Sequence, residues 1–332
     1  MLWSNSWFGC DDTKCLHYQR LVVISSFHNW VMDTKCREKK KNFKLINSSN
    51  KMNKNIFIIG SRANLSRNLK KSMPRAQLIP SNDVKELTKL LKQSGKSSII
   101  YNVSYKSSLL GKRDQPEAYA KYSFTILSHF VSVCLKLEHL IDKVIFTSSS
   151  AVYGENLNAK ETDPINITSL YAGLKFSSEL FIKEHLAKTS IKLQITRIFN
   201  MYGGFDNFSV VSSIGRSISK KNIFTLINNG ESFRDFIHIS DVVEIYKRLL
   251  ISESSSIVNI GTGSKTRISA VIEAAEKVFG VKIPTSNLRH KEISFSCACT
   301  DNLLSIVGSM KFIPVIQYFE DEYEKIKGGD FS

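Results

Sequence analysis

Tyr171 and Lys175 stand four residues apart, a spacing that can support acid–base chemistry. On a helix, positions i and i+4 share one face, so the lysine ammonium can lie near the tyrosine phenol. A free tyrosine has a pKa of about 10, and a nearby cation favours the phenolate. The pair therefore predicts a tyrosine whose pKa is lowered towards use as a general base, although the spacing alone is common.

The segment that precedes this pair adds weight to the prediction. A strand predicted over residues 143–146 runs into a row of hydroxyl side chains, Thr147 to Ser150. Parallel sheets bind ligands beyond the carboxyl ends of their strands, which is where these hydroxyls would lie.

Strands and helices alternate along the part of the chain that would position these residues. Residues 56–59 are an apolar run closed by Gly60, as expected of a parallel strand that is buried on both faces. An apolar-to-turn step follows at residues 78–81, further strands are predicted over residues 98–103 and 143–146, and helices over residues 64–71, 84–93 and 117–137. This alternation predicts an α/β fold, a parallel sheet wound with helices on both sides.

The alternation loosens after about Gly203, which predicts a smaller second lobe built from several late segments. Its clearest elements are a helix over residues 241–250, a turn over residues 261–263 and a helix over residues 268–279 that ends at Gly280. We expect residues 54–202 to form mainly the first domain. Residues 203–332 would form mainly the second lobe, with segments that return to the first domain.

The first 53 residues differ in character from the rest. Residues 1–54 contain ten Lys and Arg against four Asp and Glu, so they carry +6 of the formal charge of +16, and they hold all three tryptophans. We expect residues 1–53 to be an N-terminal extension that is disordered or not part of the natural protein, with Met52 as an alternative start. On this hypothesis residues 1–51 are dispensable.

Composition excludes several classes of protein. Of 332 residues, 42% are hydrophobic and 23% are charged, which rules out a wholly disordered, collagen-like or coiled-coil chain. The sequence shows neither a secretory signal nor a run of about 20 apolar residues, so we predict a cytoplasmic protein without a membrane span. Six cysteines, of which only Cys297 and Cys299 are close together, predict neither a disulfide framework nor a metal site. Outside residues 35–54 basic residues interleave with acidic ones, so no nucleic-acid partner is predicted.

Four motifs follow one another in a fixed order. They are the strand ending in Ser148-Ser149-Ser150 with Val152-Tyr153-Gly154, the Tyr171 and Lys175 pair, the segment Arg197-Ile198-Phe199-Asn200-Met201-Tyr202-Gly203, and the segment that runs from Arg234-Asp235-Phe236 to Asp241-Val242. This order resembles the extended short-chain dehydrogenase/reductase family of nucleotide-sugar epimerases, dehydratases and reductases, over residues 55–325. The resemblance implies a Rossmann-type doubly wound parallel sheet with a smaller α/β substrate-binding lobe.

The resemblance also implies catalytic roles. Tyr171 would take a proton from a sugar hydroxyl while hydride passes from the same carbon to a nicotinamide. Lys175 would hold the cofactor ribose and lower the pKa of the phenol. Ser149, at the position of the family's catalytic Ser or Thr, would donate a hydrogen bond to the reacting oxygen.

A nucleotide-diphosphate sugar is the substrate that the resemblance implies. Arg234 is similar to the arginine that pairs with the diphosphate in UDP-galactose 4-epimerase relatives, and Arg289 is a weaker match to a second one. Asn200 resembles the family's substrate-contacting asparagine, and Ser150 is a further candidate for substrate binding. Relatives commonly form homodimers through the helix that bears the tyrosine and lysine pair and the long helix before it, so a homodimer is possible by analogy.

The residues after Ser149 bear on the type of reaction. Dehydratases carry an Asp-Glu pair directly after the catalytic Thr, whereas here Ser150 and Ala151 occupy those places. Without an acid, the elimination of water has no obvious catalyst. We therefore favour epimerisation or ketosugar reduction at C4 over 4,6-dehydration. The alternative is a catalytically silent relative that binds a nucleotide sugar or a protein partner.

The cofactor loop departs from the family pattern of three glycines. The segment Gly60-Ser61-Arg62-Ala63-Asn64-Leu65-Ser66 keeps only the first, and Ala63 and Ser66 replace the second and third. Asn64 can cap the following helix, whose N-terminus would still attract phosphate. We predict retained but weakened binding, with cofactor contacts from Gly60, Arg62, Ala63, Asn64, Leu65, Tyr171 and Lys175.

The choice between NAD and NADP stays open in the sequence. An acidic residue closing the second strand would bind the ribose hydroxyls of NAD, but residues 78–82 contain none, and Asp83 is expected to begin the next helix. Arg62 could meet the 2′-phosphate of NADP, or it could be a solvated loop arginine.

Overall fold

The computed structural model describes residues 55–103 and 116–328. The predicted extension, residues 1–53 with Met52, lies outside the described residues, as do residues 104–115 and 329–332. Within the described ranges, no helix has the length and apolar character needed to cross a membrane. In the same ranges, no group of three or more His, Cys, Asp and Glu side chains is placed to hold a metal ion.

Strands and helices alternate through the first half of the described chain. The strands are β1 (Asn55–Ile59), β2 (Gln77–Ile79), β3 (Ser97–Tyr101), β4 (Ile141–Ser149), β5 (Asn156–Ala159), β6 (Lys192–Ile198), β7 (Asn200–Tyr202), β8 (Phe224–Ile227), β9 (Phe233–Arg234), β10 (Phe236–His238), β11 (Ile257–Ile260), β12 (Thr266–Arg267), β13 (Thr285–Leu288) and β14 (Phe295–Ala298). The helices are α1 (Asn64–Ser72), α2 (Val84–Ser94), α3 (Pro116–Lys136), α4 (Leu170–Leu186), α5 (Val210–Lys220), α6 (Ile239–Ile251), α7 (Ile268–Phe279), α8 (Asp301–Val307), α9 (Val315–Asp321) and α10 (Tyr323–Lys327).

A six-stranded parallel sheet in the order β11-β6-β4-β3-β1-β2 forms the centre of the fold. Ile59 pairs with Ile79 on one side and with Tyr101 on the other, so three strands end at one edge of the sheet. Phe57, Ile58 and Ile59 of β1 are fully buried, as expected of a strand that is covered on both faces. The predicted α/β class with a doubly wound parallel sheet is confirmed.

Helices cover both faces of this sheet. On one face α2, α3 and α4 pack over a core that includes Leu87, Phe130 and Ile182. On the other face α1, α6 and α8 pack over a core that includes Leu69, Tyr246 and Leu303. Helices therefore pack on both faces of the sheet, including the edge at which the strands end.

Several small sheets follow the central sheet along the chain. β7 pairs with β10, β8 pairs with β13, and β12-β9-β14-β5 form a four-stranded sheet. Helices α5, α7, α9 and α10 enclose a third core around β8 and β10. The predicted domain boundaries stay a prediction.

Predicted and observed elements differ mainly at their ends. β4 continues to Ser149 because its polar carboxyl end pairs with β6, with Ser149 beside Ile198. The strand predicted over residues 98–103 ends earlier, at Tyr101. The helix predicted over residues 268–279 is confirmed as α7, and Gly280 follows it with a left-handed φ of 63°.

Candidate active site

Ser149 is the last residue of β4, and it meets the first turn of helix α4. Its hydroxyl is hydrogen-bonded to the phenol of Tyr171. Its oxygen also accepts a hydrogen bond from the backbone N–H of Ala151 at 3.2 Å. A hydroxyl that accepts a hydrogen bond keeps its single O–H donor, so Ser149 can still donate. The structure thus brings together two of the residues that the sequence predicts for catalysis.

The start of helix α4 places Tyr171 at the sheet edge. Ser169 is the N-cap, with an extended backbone, and its side-chain oxygen accepts from the backbone N–H of Ala172 at 3.2 Å. Lys175 and Glu179 follow at intervals of four residues and are 5% and 3% exposed. Tyr171, which is half-buried, therefore shares one face of the helix with the buried Lys175 and Glu179.

The ammonium of Lys175 is buried at the end of β4. Its Nζ donates a hydrogen bond to the backbone oxygen of Thr147 at 3.0 Å. Burial lowers the pKa of Lys175 to about 8, and the Glu179 carboxylate opposes this shift. Burial therefore brings the pKa of Lys175 closer to neutral pH than that of an ordinary lysine.

The pKa of Tyr171 does not follow the sequence prediction. Burial raises it above its usual value of about 10, and the hydrogen bond from Ser149 opposes that increase without cancelling it. The expected net lowering by Lys175 is therefore wrong for the protein alone, because the cost of burying a phenolate outweighs the favourable contacts. A protonated phenol is the form that this environment favours.

A buried ion pair lies behind these residues. Arg197 Nη2 is 2.7 Å from Glu179 Oε2, and both side chains are 3% exposed. The Ser148 hydroxyl also donates to Glu179. Arg197 Nη1 donates to the Tyr153 hydroxyl at 2.8 Å, and Tyr153 donates to Asn259 Oδ1 at 2.8 Å. One network thus joins helix α4, the three strands β4, β6 and β11, and the turn after Ser149.

Sequence reasoning missed this network. Glu179 carries a signal that could have found it, since it continues the four-residue spacing of Tyr171 and Lys175. Arg197 and Asn259 carry no comparable signal, because their partners come from distant parts of the chain.

The loop between β1 and α1 fits an anionic diphosphate. Gly60 has φ +101°, and a Cβ there would lie 2.1 Å from the backbone oxygen of Asn102, so the position requires glycine. Among the described residues, no side chain caps α1 and no acid lies in its first turn. The first backbone N–H groups of α1 are therefore placed to bind a phosphate oxygen.

The prediction that Asn64 caps helix α1 is wrong. Ala63 occupies the N-cap position and Asn64 is the first helical residue. The Asn64 side chain instead contacts the loop after β7, where its Nδ2 donates to Gly203 O at 2.9 Å and its Oδ1 accepts from the backbone N–H of Phe205 at 2.8 Å. Its backbone N–H is the group that remains for a cofactor phosphate.

The other loop residues differ in exposure. Arg62 is exposed, whereas Leu65 is 2% exposed and packs in the core. Any contact of Leu65 with a cofactor would therefore be made by its backbone N–H.

Arg234 and Glu292 form an ion pair in the later part of the chain. The distance from Nη2 to Oε2 is 3.0 Å, and the side chains are 12% and 15% exposed. Arg234 Nη1 also donates to the backbone oxygen of Phe233 at 2.9 Å. The arginine predicted to bind diphosphate thus already has an anionic partner.

Arg289 is exposed and lies on a segment next to this pair. Asn228 connects the two, since its Nδ2 donates to His290 O at 2.6 Å and lies 3.5 Å from Glu292 Oε1. Arg289 lines an open cavity of about 470 Å³ together with Asn228, Asn229, Asn287, His290 and Lys291. Two predicted diphosphate contacts, Arg234 and Arg289, therefore lie on neighbouring segments.

Asn200 and Ser150 have local partners. Asn200 begins β7, and its Nδ2 donates to Asp235 O at 3.1 Å. Ser150 begins the 3₁₀ turn Ser150–Tyr153 directly after Ser149 and is 8% exposed. Substrate contacts by either residue stay a prediction.

Similarity to known proteins shows the family to which this chain belongs. A sequence model of the NAD dependent epimerase/dehydratase family matches residues 45–261, well over half of the chain. The chain belongs to this family. It is a family of nucleotide-sugar enzymes of the epimerase/dehydratase type.

Curated relatives of this epimerase/dehydratase family member catalyse more than one reaction. UDP-glucuronic acid decarboxylase 6 of Arabidopsis thaliana is 30% identical over 146 residues, which are 41% of this chain and 42% of that protein. UDP-glucose 4-epimerase of Bacillus subtilis (strain 168) is 25% identical over 190 residues, which are 49% of this chain and 56% of that protein. The chain thus matches about half the length of these relatives.

A solved structure supports the fold of this family member. UDP-glucuronic acid 4-epimerase from Bacillus cereus, in complex with UDP-glucuronic acid and NAD, has a TM-score of 0.71 with 20% identity, over 82% of this chain and 99% of that chain. At this level of identity the likeness concerns the fold alone.

Proposed function

We propose that this family member is an NAD(P)-dependent enzyme that transfers hydride at C4 of a nucleotide sugar, as an epimerase or as a ketosugar reductase. The observation that carries the proposal is the hydrogen bond between Ser149 and Tyr171, one helical turn from the buried Lys175. A hydroxyl donor, a phenol and an ammonium at one strand end are the groups that such a step needs.

The residues would divide the chemistry between them. Bound NAD(P) supplies the hydride acceptor or donor. In oxidation, the Tyr171 phenolate takes the proton of the C4 hydroxyl as hydride leaves the same carbon. In reduction, the Tyr171 phenol returns a proton to the C4 oxygen as hydride arrives. Ser149 donates a hydrogen bond to that oxygen in both directions.

The raised pKa of Tyr171 suits the reductive direction. Burial favours the protonated phenol, which is the form that gives a proton to a ketone oxygen. Oxidation would need the phenolate, and a positive charge placed close to Tyr171 would stabilise it. Lys175, one turn along the same helix face, is the residue that we assign to that role.

Cofactor and substrate would bind at separate ends of the site. The first-turn N–H groups of α1 would hold the dinucleotide diphosphate, with Gly60 and Ala63 in the loop and Arg62 near an adenosine 2′-phosphate if the cofactor is NADP. Arg234 and Arg289 would hold the diphosphate of the sugar nucleotide, because guanidinium groups bind phosphate oxygens in pairs. Asn200 and Ser150 would contact the sugar.

Two alternatives remain in the proposal. Ala151 follows Ser150 where a dehydratase would need an acid, so we do not favour 4,6-dehydration. A catalytically silent protein that binds a nucleotide sugar is the second candidate, and Ala63 and Ser66 in place of two glycines are the observation that favours it. The cytoplasmic location stays a prediction.

A homodimer also belongs to the proposal. Leu135 at the end of α3 and Leu180 on α4 are 43% and 52% exposed. Pairing of these two helices with those of a second copy would cover both side chains. Light scattering of the purified protein would give its mass in solution, and a monomer at micromolar concentration would contradict this part of the proposal.

Two measurements test the proposed enzyme. Titration with NAD and with NADP should show binding, and the absence of binding of both at millimolar concentration would overturn the proposal. A panel of UDP-, GDP- and dTDP-sugars, including UDP-glucuronic acid, should then be assayed with and without NADPH. Conversion without net redox change indicates an epimerase, consumption of NADPH a reductase, and release of carbon dioxide a decarboxylase.

A further inference from the structure

The side chain of Ser66, on helix α1, is fully buried beside the residue that follows strand β3. Its hydroxyl oxygen accepts a hydrogen bond from Asn102 Nδ2 at 2.9 Å, and the two residues are 0% and 5% exposed. Ser66 occupies the third position of the glycine pattern, where a small residue lets the helix approach the sheet. The added hydroxyl therefore has a partner of its own on the sheet.

Asn102 also contacts the opposite end of the loop. Its backbone N–H donates to Ile59 O at 3.0 Å. Its backbone oxygen lies so close to Gly60 that a Cβ on Gly60 would be 2.1 Å from it. A single residue thus contacts the first glycine position with its backbone and the third position with its side chain.

We infer that the hydrogen bond between Ser66 and Asn102 takes the place of the third glycine in holding the cofactor loop against the sheet. Asn102 is then the positioning residue of this loop. A buried amide that loses its partner is costly, so its side chain would turn away from the helix to find another one. That movement would displace the strand end that supports Gly60. The inference rests on the proposed function, since it takes this loop to be the cofactor site.

The family pattern suggests that a glycine at position 66 would improve cofactor binding, whereas the hydrogen bond between Ser66 and Asn102 predicts the opposite. Restoring glycine with Ser66→Gly should weaken cofactor binding, because it removes the partner of the Asn102 amide. Asn102→Leu replaces the amide with an apolar group of similar size that needs no partner. The double variant should therefore recover what Ser66→Gly loses.

The test is a double-mutant cycle with two readouts. Affinity for NAD and for NADP is measured by calorimetry, and the urea midpoint is measured without cofactor. Ser212→Gly is the matched control, because Ser212 is a buried serine on helix α5 whose hydroxyl donates to the backbone oxygen of Ser209 at 3.1 Å. It adds the same glycine to the first turn of a helix, and it removes a partner of the half-buried Arg216, whose Nη1 donates to the Ser212 hydroxyl at 3.2 Å, instead of the partner of an asparagine.

We expect Ser66→Gly to weaken cofactor binding about tenfold, the double variant to bind within about threefold of the wild type, and Ser212→Gly to lower the midpoint while leaving affinity unchanged. Additive effects in the cycle, or unchanged affinity in Ser66→Gly, would overturn the inference. A wild type that binds neither dinucleotide would overturn the proposed function instead, and the urea cycle would still decide whether Ser66 and Asn102 are coupled.

Discussion

Asn64 donates a hydrogen bond from Nδ2 to the backbone oxygen of Gly203 at 2.9 Å, which joins the first turn of helix α1 to the loop after strand β7. The guanidinium carbon of Arg67 lies 3.5 Å from the centroid of the Phe205 ring in the same loop. Strand β7 begins at Asn200, a residue assigned to the substrate. Helix α1, which begins the proposed cofactor site, therefore contacts the loop that follows the strand on which Asn200 lies.

Replacing Asn64 tests this link. Asn64→Ala removes the partly buried hydrogen bond to Gly203 O and the exposed one to the N–H of Phe205, so we expect the free energy of unfolding to fall by about 0.5–1.5 kcal/mol. Urea denaturation followed by circular dichroism measures it. Asn82→Ala, at an exposed asparagine, is the control and should change stability by less than about 0.5 kcal/mol. Equal losses in the two variants would contradict the link.

Tyr171→Phe removes the phenol oxygen and keeps the ring. We expect turnover to fall by at least about 100-fold, because the proton of the sugar hydroxyl has no acceptor. Cofactor affinity and the unfolding midpoint should stay close to those of the wild type. Steady-state kinetics on a substrate found in the panel measures the effect. Full activity would mean that another group is the base.

Lys175 should make stability depend on pH. Its pKa in the folded protein is about 8, below the ordinary value of 10.5. Below pH 8 both states hold the proton and the full cost of the buried ammonium is present. Between pH 8 and 10.5 the unfolded chain holds a proton that the folded protein has lost, so the cost is relieved as pH rises.

Lys175→Met should therefore stabilise the fold at pH 7 by about 1–3 kcal/mol and remove the rise in stability above pH 8. Urea midpoints from pH 7 to 10.5 measure both effects. Lys183→Met, at an exposed lysine on the same helix, is the matched control. The prediction is wrong if the stability of the wild type does not rise above pH 8. It is also wrong if Lys175→Met shows the same rise.

Removing the charge of only one partner of the Glu179 and Arg197 ion pair should lower the free energy of unfolding strongly. Glu179→Gln leaves a buried guanidinium without its counter-charge, so we expect a loss of about 3–5 kcal/mol of unfolding free energy. The double variant Glu179→Leu with Arg197→Met should lose less than Glu179→Gln, because no unpaired charge remains. Glu244→Gln, in half-exposed pairs with Lys247 and Arg248, should cost less than about 1 kcal/mol. A double variant less stable than Glu179→Gln would argue against the pair as the cause.

The sequence predicts those parts of the fold that depend on local pattern. Helix α7 is recovered because its apolar spacing and the glycine that follows it are both local signals. The end of β4 is not, because Thr147, Ser148 and Ser149 are polar and are held extended by pairing with β6. Local propensity does not include that pairing.

The same distinction holds in the site. The spacing of Tyr171 and Lys175 and the row of hydroxyls before them predict that these side chains lie near one strand end, where the structure places them, and their catalytic roles stay a proposal. The role of Asn64 is predicted incorrectly, because Gly203 and Phe205, which compete for its side chain, are more than a hundred positions away along the chain. The N-cap preference of asparagine concerns only hydrogen bonds to the first turn of its own helix.

Because Arg234 is paired with Glu292, a ligand anion that binds Arg234 would have to replace the carboxylate of Glu292. A diphosphate that reaches Arg234 replaces one carboxylate, and Glu292 then passes to solvent or to a hydroxyl of the ligand. Because one anion leaves as another arrives, fewer counterions are released than at a bare cation. We therefore expect the affinity for a sugar nucleotide to fall less steeply with added salt than two arginines in an open site would suggest.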